Sequence, residues 1–381
     1  MMIRCGCVLA FVLSCALGLL AQAPCTPQQA LAKPGHWERA ADDLAMADGT
    51  FPKSQYPALL RKADRVIELL QQANPSPTGL EAKAYRGIRS NSYAANGPVP
   101  FGVNVLYLSY YCVPDTPNYP GIRGKIRPED ETQTWIYIFF NSLGWLEQEK
   151  LLSNFNTVSG ATILVVPRHV AEFQGYTLYL PKVHTAQYTE AIIMTPDGRS
   201  PYKPLSREQY LRAREKLYDG QVAEVEKELA HQAEFRDRGI VSAASRQWSA
   251  ERKAQEKESY IKGYEAAAHG LANRRQQIES NKTKITAALE AMPPDERQLQ
   301  AVVRDPNALP PRDPLFASEE QGGKPLATLD RSLFTVSSPR DTVRIAVIYW
   351  RWKTDDTNKR ELIRQFKERF DFKAVQQMVG R

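Results

Sequence analysis

The chain has 381 residues, 43% of them hydrophobic and 24% charged, with a formal net charge of +7. That apolar fraction is too high for a disordered chain, and 21 Gly with 26 Pro in no repeating pattern exclude a fibre. Five cysteines exclude a disulfide-dense miniature scaffold, while the length allows two or three domains or one domain with a large insertion.

Residues 1–23 read as a signal peptide. Arg4 supplies a positive start, Val8 to Ala21 is a 14-residue apolar run, and Ala21-Gln22-Ala23 has the small-x-small form of a cleavage site. The run is too short to span a hydrocarbon core of ~30 Å, and no later run reaches ~18 apolar residues, so the chain is expected not to be transmembrane after cleavage. The expected location is periplasmic or extracellular. Cleavage removes Cys5, Cys7 and Cys15 and leaves Cys25 and Cys112. In an oxidising compartment that pair reads first as one disulfide, the alternative being Cys112 as a small buried hydrophobe at a strand end.

Residues 24–98 form a polar N-terminal segment with one strong helix. From Tyr56 to Ala73, the residues Leu59, Leu60, Ala63, Val66, Ile67 and Leu70 recur at helical spacing, and Asn74-Pro75 ends the run. Residues 99–204 read as a sheet domain. Phe101 to Val113, Thr132 to Phe140, Thr162 to Val166, Tyr176 to Leu180 and Glu190 to Thr195 are the strand candidates. The connection from Pro114 to Glu131 carries four prolines.

The period changes after Leu205. Ser206, with Gln209 three residues on, forms a capping box that opens a helical hairpin over residues 205–292. Ile261, Tyr264, Ala268, Leu271, Arg275, Ile278, Lys282, Ile285, Leu289 and Met292 alternate in steps of three and four, which is a coiled-coil-like seam. Gly239 is the expected end of a first arm running from about 206 to 238, with a second arm over about 243–292. At ~1.5 Å per residue the arms come to roughly 50 and 75 Å. Gly263 and Gly270 are candidate breaks in the second. Arg275 and Lys282 fit the edge of an interface, where they fix register; ligation of an anion is the alternative. Residues 293–330 read as a Pro-rich linker. Thr342 to Trp350 is a further strand and Asp356 to Phe370 an amphipathic helix. A lone strand is not stable, so residues 331–381 complete the sheet domain. The expected fold class is α+β: a mostly antiparallel sheet with a long helical hairpin inserted before the last strand and C-terminal helix.

The sequence offers little chemistry. It contains no glycine-rich phosphate loop, no nucleophile elbow, no His-Glu-x-x-His and no paired Cys-x-x-Cys, so neither metal nor cofactor is expected. Cys112 with His169 or His184 is the arrangement a hydrolase would use. Tyr349-Trp350-Arg351-Trp352-Lys353 interleaves aromatics with cations, and Trp350, Arg351, Trp352 and Lys353, with Arg344, are the binding candidates. In a strand, Trp350 and Trp352 share one face and Arg351 the other. Residues 24–330 carry 37 basic and 37 acidic side chains, whereas residues 331–381 carry 12 basic and six acidic. The expectation is an exported, non-catalytic protein with two working surfaces. The hairpin would bind a protein partner or a second copy. The basic C-terminal end would meet an anionic surface polymer or lipid head group, and no nucleic acid is expected. Two alternatives stand beside it: an exported hydrolase with a site in the sheet domain around Cys112, His169 and His184, and a binder of anionic envelope material through residues 331–381.

Overall fold

The computed structural model describes residues 24–44, 51–89, 97–118, 121–147, 163–180, 187–308, 314–334 and 339–381. The expected signal peptide lies outside the described residues. In chain order the elements are α1 (Pro27–Ala32), β1 (Trp37–Arg39), α2 (Tyr56–Ala73), β2 (Leu80–Ile88), β3 (Phe101–Cys112), β4 (Ile126–Pro128), β5 (Trp135–Phe140), β6 (Ile163–Val165), β7 (Arg168–Phe173), β8 (Tyr176–Leu180), β9 (Gln187–Met194) and β10 (Tyr202–Pro204). Then follow α3 (Arg207–Ser245), α4 (Ala250–Ala291), α5 (Pro294–Gln298), β11 (Val302–Val303), β12 (Lys324–Leu329), β13 (Ala346–Lys353), α6 (Thr357–Arg369) and α7 (Phe372–Gln376). They divide into two compact units, one of residues 1–142, 170–196 and 336–381, the other of residues 143–169 and 197–335. The fold class is α+β.

The first unit is built on a nine-stranded sheet in the order β1-β2-β3-β5-β13-β9-β8-β7, with β4 on β3. β1 runs parallel to β2, while β2/β3, β3/β5, β5/β13, β13/β9 and β8/β9 are antiparallel. The last strand in sequence is thus an inner one: Ile348 of β13 pairs with Ile138 of β5 and Ile192 of β9. Its run from Ala346 to Trp350 is buried at every position, as an inner strand requires. α2 and α6 pack on one face of the sheet. Leu59, Val66 and Leu70 of α2, with Leu362 and Phe366 of α6, enclose Ala82, Val103, Val105, Ile136, Ile138, Ile348 and Trp350. Each such large apolar side chain contributes about 1.5–3 kcal/mol by leaving water. Asp356 caps α6, accepting the Lys359 N–H at 3.1 Å. Residues 24–98 are therefore more than a helical segment, because they supply β1 and β2 at the edge of this sheet.

The second unit combines a four-stranded sheet with the helical hairpin. β12 is central, pairing with β10, β11 and β6. The stretch expected to be a Pro-rich linker therefore supplies the inner strand of this sheet, and Ile163 to Val165, expected in the first sheet, pair here instead. Ser206 opens α3 with both halves of its capping box: its hydroxyl accepts the Gln209 N–H at 3.2 Å, and the Gln209 side chain accepts the Ser206 N–H at 3.0 Å. α3 has 39 residues and α4 has 42, so the two arms are nearly equal. The turn falls at residues 246–249, not at Gly239. A Cβ on Gly239 would stand 2.4 Å from the Tyr260 ring of α4, so glycine serves close helix contact there, not termination. α4 continues through Gly263 and Gly270. The base of the hairpin packs Leu211, Leu217, Tyr218 and Val225 against Ile278, Ile285 and Leu289, together with Ile163, Val303 and Leu326 of the sheet. Between Glu226 and Gln277 only Ala243 is buried.

Candidate functional site

The residues singled out in the sequence part company in the structure. Cys25 and Cys112 form a disulfide across a sequence separation of 87 residues. The Cys112 sulfur is therefore no thiolate nucleophile, which removes that role from the hydrolase arrangement. His169 is an exposed residue of β7, and His184 lies outside the described residues. Arg275 and Lys282 face α3, where Arg275 meets Glu226 at 3.3 Å and Lys282 pairs with Asp219. These pairs join the two arms and fix their register.

β13 divides its candidates between two faces. Trp350 is fully buried under α6, 5.5 Å from the Phe366 ring. Its indole N–H donates to Glu190 Oε2 at 2.7 Å, and Lys367 Nζ binds the same oxygen at 2.8 Å. Trp350 is thus a core residue with a satisfied polar tip, not a stacking surface. Trp352 shares its face and lies 4.8 Å from the Tyr188 ring. Arg344 precedes the strand and donates its backbone N–H to Asn141 Oδ1 at 2.7 Å. Seven positions and ~23 Å of extended chain separate it from Arg351, so it belongs to another environment. Arg351 and Lys353 project from the face opposite the helices.

That opposite face is the candidate site. Strand register places two rows of side chains across it. Tyr85, Asn104, Tyr137 and Tyr349 form one, on β2, β3, β5 and β13. Lys83, Leu106, Trp135, Arg351 and Thr189 form the next. Burial in β5 alternates strictly: Ile136, Ile138 and Phe140 are buried toward the helices, whereas Trp135, Tyr137 and Phe139 are half-buried. The outward aromatics of β5 pack against one another and against Tyr349, which is itself buried. Tyr137 lies 5.8 Å from Trp135, 5.3 Å from Phe139 and 6.3 Å from Tyr349, ring centre to ring centre. The Arg351 guanidinium sits 4.5 Å above the Trp135 ring, a cation–π contact.

The electrostatics of this face are incomplete. Among the described residues no carboxylate pairs with Arg351, and its Nε is buried without a hydrogen-bond partner. Burial holds its guanidinium below the ordinary arginine range. Asn104 Oδ1, Trp135 Nε1 and Gln187 Oε1 are likewise buried and unpartnered among the described residues. Gln187 pairs with Lys353 on the next row of the same face. Burial pushes the Tyr137 hydroxyl up to about 12, against the pull of the Asn104 hydrogen bond and Arg351. Unsatisfied buried polar groups cost about 1–3 kcal/mol each, and four of the eight such atoms among the described residues lie on this face. By contrast, the cleft of about 360 Å³ between α2 and β1 is lined by Arg39 and Asp64, which already pair with each other. The sheet face offers a half-buried cation and half-buried aromatic rings.

Of this site the sequence pointed only to Arg351 and Lys353. Asn104, Trp135, Tyr137 and Gln187 come from three other strands, and the outward positions of the Thr132 to Phe140 run were the one signal for two of them. Among the described residues no group of three or more His, Cys, Asp or Glu is placed to hold a metal ion, and no helix is long and apolar enough to cross a membrane. No protein-family model, curated protein or solved structure matches the chain.

Proposed function

We propose that this is an exported, non-catalytic binding protein that takes an anionic ligand on the outward face of its nine-stranded sheet, with Arg351 as the anchor. The observation that carries the reading is the half-buried Arg351 guanidinium, stacked on Trp135 with no carboxylate beside it among the described residues. A partly buried cation without a counter-charge carries some desolvation cost, and a bound anion would offset it. Export is supported by the leader-like residues 1–23 and by the disulfide, which suits an oxidising compartment. The net charge of +6 over residues 331–381 would draw anions toward this end of the chain.

Deleting residues 331–381 would remove an inner strand, so the test is a point substitution. Arg351→Gln should elute from a dextran sulfate column at clearly lower salt than the parent chain. Arg360→Gln, which removes an exposed charge from α6, should shift elution little. Equal shifts for the two variants would leave only diffuse charge and sink the reading.

The hairpin supports a second surface, for a protein partner or a second copy. Its outer half has almost no core, and it presents Phe235 at 55% and Val241 at 69% exposure. Sedimentation of the full chain should reveal a dimer that the double change Phe235→Glu, Val241→Glu dissociates. A monomer at every concentration would remove the second-copy version.

A further inference from the structure

We infer that a second copy of this chain docks antiparallel on one side of the helical hairpin, with Arg238 of each copy on Glu228 of the other and the two Phe235 rings at the centre. The inference rests on the second-copy reading of the hairpin above and narrows it to one side and one register. Glu224, Glu228, His231, Phe235, Arg238 and Ser242 of α3 follow one another in steps of four, three, four, three and four, so they line one strip of the helix. All six are exposed. Phe235 and Arg238 each stand one residue, ~100° of helix turn, before a residue that faces α4, since Arg236 meets Tyr264 and Gly239 meets Tyr260. α4 therefore flanks the strip without covering it.

The strip is acidic toward the base of the hairpin and basic toward its turn. Its charges are not spent inside the chain. Among the described residues the nearby ion pairs use Glu226 and Asp237, and Glu228 accepts only the Gln232 amide, at 2.7 Å. Such a strip repels a parallel copy and complements an antiparallel one. A two-fold axis at Ala233 sets Arg238 against Glu228, Phe235 against His231 and Ser242 against Glu224, each twice over, so all six positions find a partner. The two Phe235 rings then stand four residues apart, ~6 Å along the axis, within reach of each other. The same side of α4 agrees with this register. The Tyr260 ring lies 6.0 Å from that of Phe235, which makes the side continuous across the two helices. Arg236 is level with Tyr264 and Glu226 with Arg275, so Ala233 is level with Ala267. An axis through Ala267 sets Tyr260 against the exposed Arg274 of the other copy, seven residues to either side, a cation over a ring.

The test is sedimentation of the full chain over a range of concentrations. The parent chain should form a dimer. Glu228→Arg and Arg238→Glu should each weaken it about tenfold or more, because like charges then face each other twice. An equimolar mixture of the two variants should recover most of the parent affinity, since both crossed pairs are again Arg on Glu. Circular dichroism should show unchanged helix in each variant, as both positions are exposed. A parent dimer that both variants keep, or one that both lose and mixing does not restore, would overturn the inference and leave the second-copy reading standing. A monomer at every concentration would overturn both, and its co-sedimentation with phosphatidylglycerol vesicles would assign this side to a lipid surface instead.

Discussion

At the scale of single residues, three glycines in the hairpin have different jobs despite similar surroundings in sequence. Gly263 and Gly270 sit at exposed positions of α4, with open space where a Cβ would go. Alanine removes backbone freedom from the unfolded chain and adds no clash. Each Gly→Ala change should therefore raise stability by about 1 kcal/mol, read as an upward shift in the thermal midpoint. Gly239 faces the Tyr260 ring at a distance that leaves no room for a Cβ. Gly239→Ala should lower stability by about 1–3 kcal/mol, the usual range for overpacking. A stabilised Gly239→Ala variant would mean that the two arms lie further apart than described. The pentapeptide at the end of β13 makes a related point. Trp350 and Arg351 are neighbours in sequence, yet one is core and the other belongs to the candidate site, because a strand sends alternate side chains to opposite faces. Alternation was legible in advance; which face was covered by helix was not.

At the scale of elements, the amphipathic helices and strongly patterned strands were readable because their partners are implied by their own period. α2 and the Ser206 cap fall where spacing and capping chemistry put them, and the cations of the α4 seam pair with Asp219 and Glu226 of α3. The elements that escaped are those whose composition argues against them. β12 lies in a stretch with seven prolines between Pro293 and Pro325, and β2, with Glu81, Lys83 and Arg86 among its residues, does not read as a buried run. Both are held by neighbours: β12 by β10, β11 and β6, and β2 by β1 and β3. Tertiary pairing overrides weak local preference in strands more readily than in helices. The hairpin turn departs from the local signal for the opposite reason. Gly239 carries a strong local signal for a helix end, and the close approach of Tyr260 gives it another use.

For the whole molecule, the disulfide is confined to the first unit, since Cys25 and Cys112 both belong to it. It ties the N-terminal residues to the end of β3, where Lys33 lies 3.9 Å over the Tyr110 ring and His36 Nδ1 meets the Tyr110 hydroxyl at 2.7 Å. A loop of this length corresponds to about 4–5 kcal/mol by chain entropy, with 2–5 kcal/mol typical of measured losses. Replacing both cysteines by serine should therefore lower the urea midpoint of the first unit and leave that of the second unchanged. Near-ultraviolet circular dichroism and fluorescence of the parent and the double variant would follow the two transitions. The parent protein should also show no free thiol when denatured without reductant. One shared transition moving as a whole would mean that the units unfold together.

What the sequence determined by itself is the class of the fold, the main helices and strands, and the concentration of positive charge in the last 51 residues, 12 basic against six acidic. These follow from period and composition, which act over a turn of helix or a few residues of strand. What only the tertiary structure decided is the site. Asn104, Trp135, Gln187 and Arg351 stand on four strands and share one sheet face because β13 inserts between β5 and β9, in a register set by long-range pairing. No local pattern encodes which side chains cross-strand register brings together, or which polar atoms are left without partners once the helices have covered the other face.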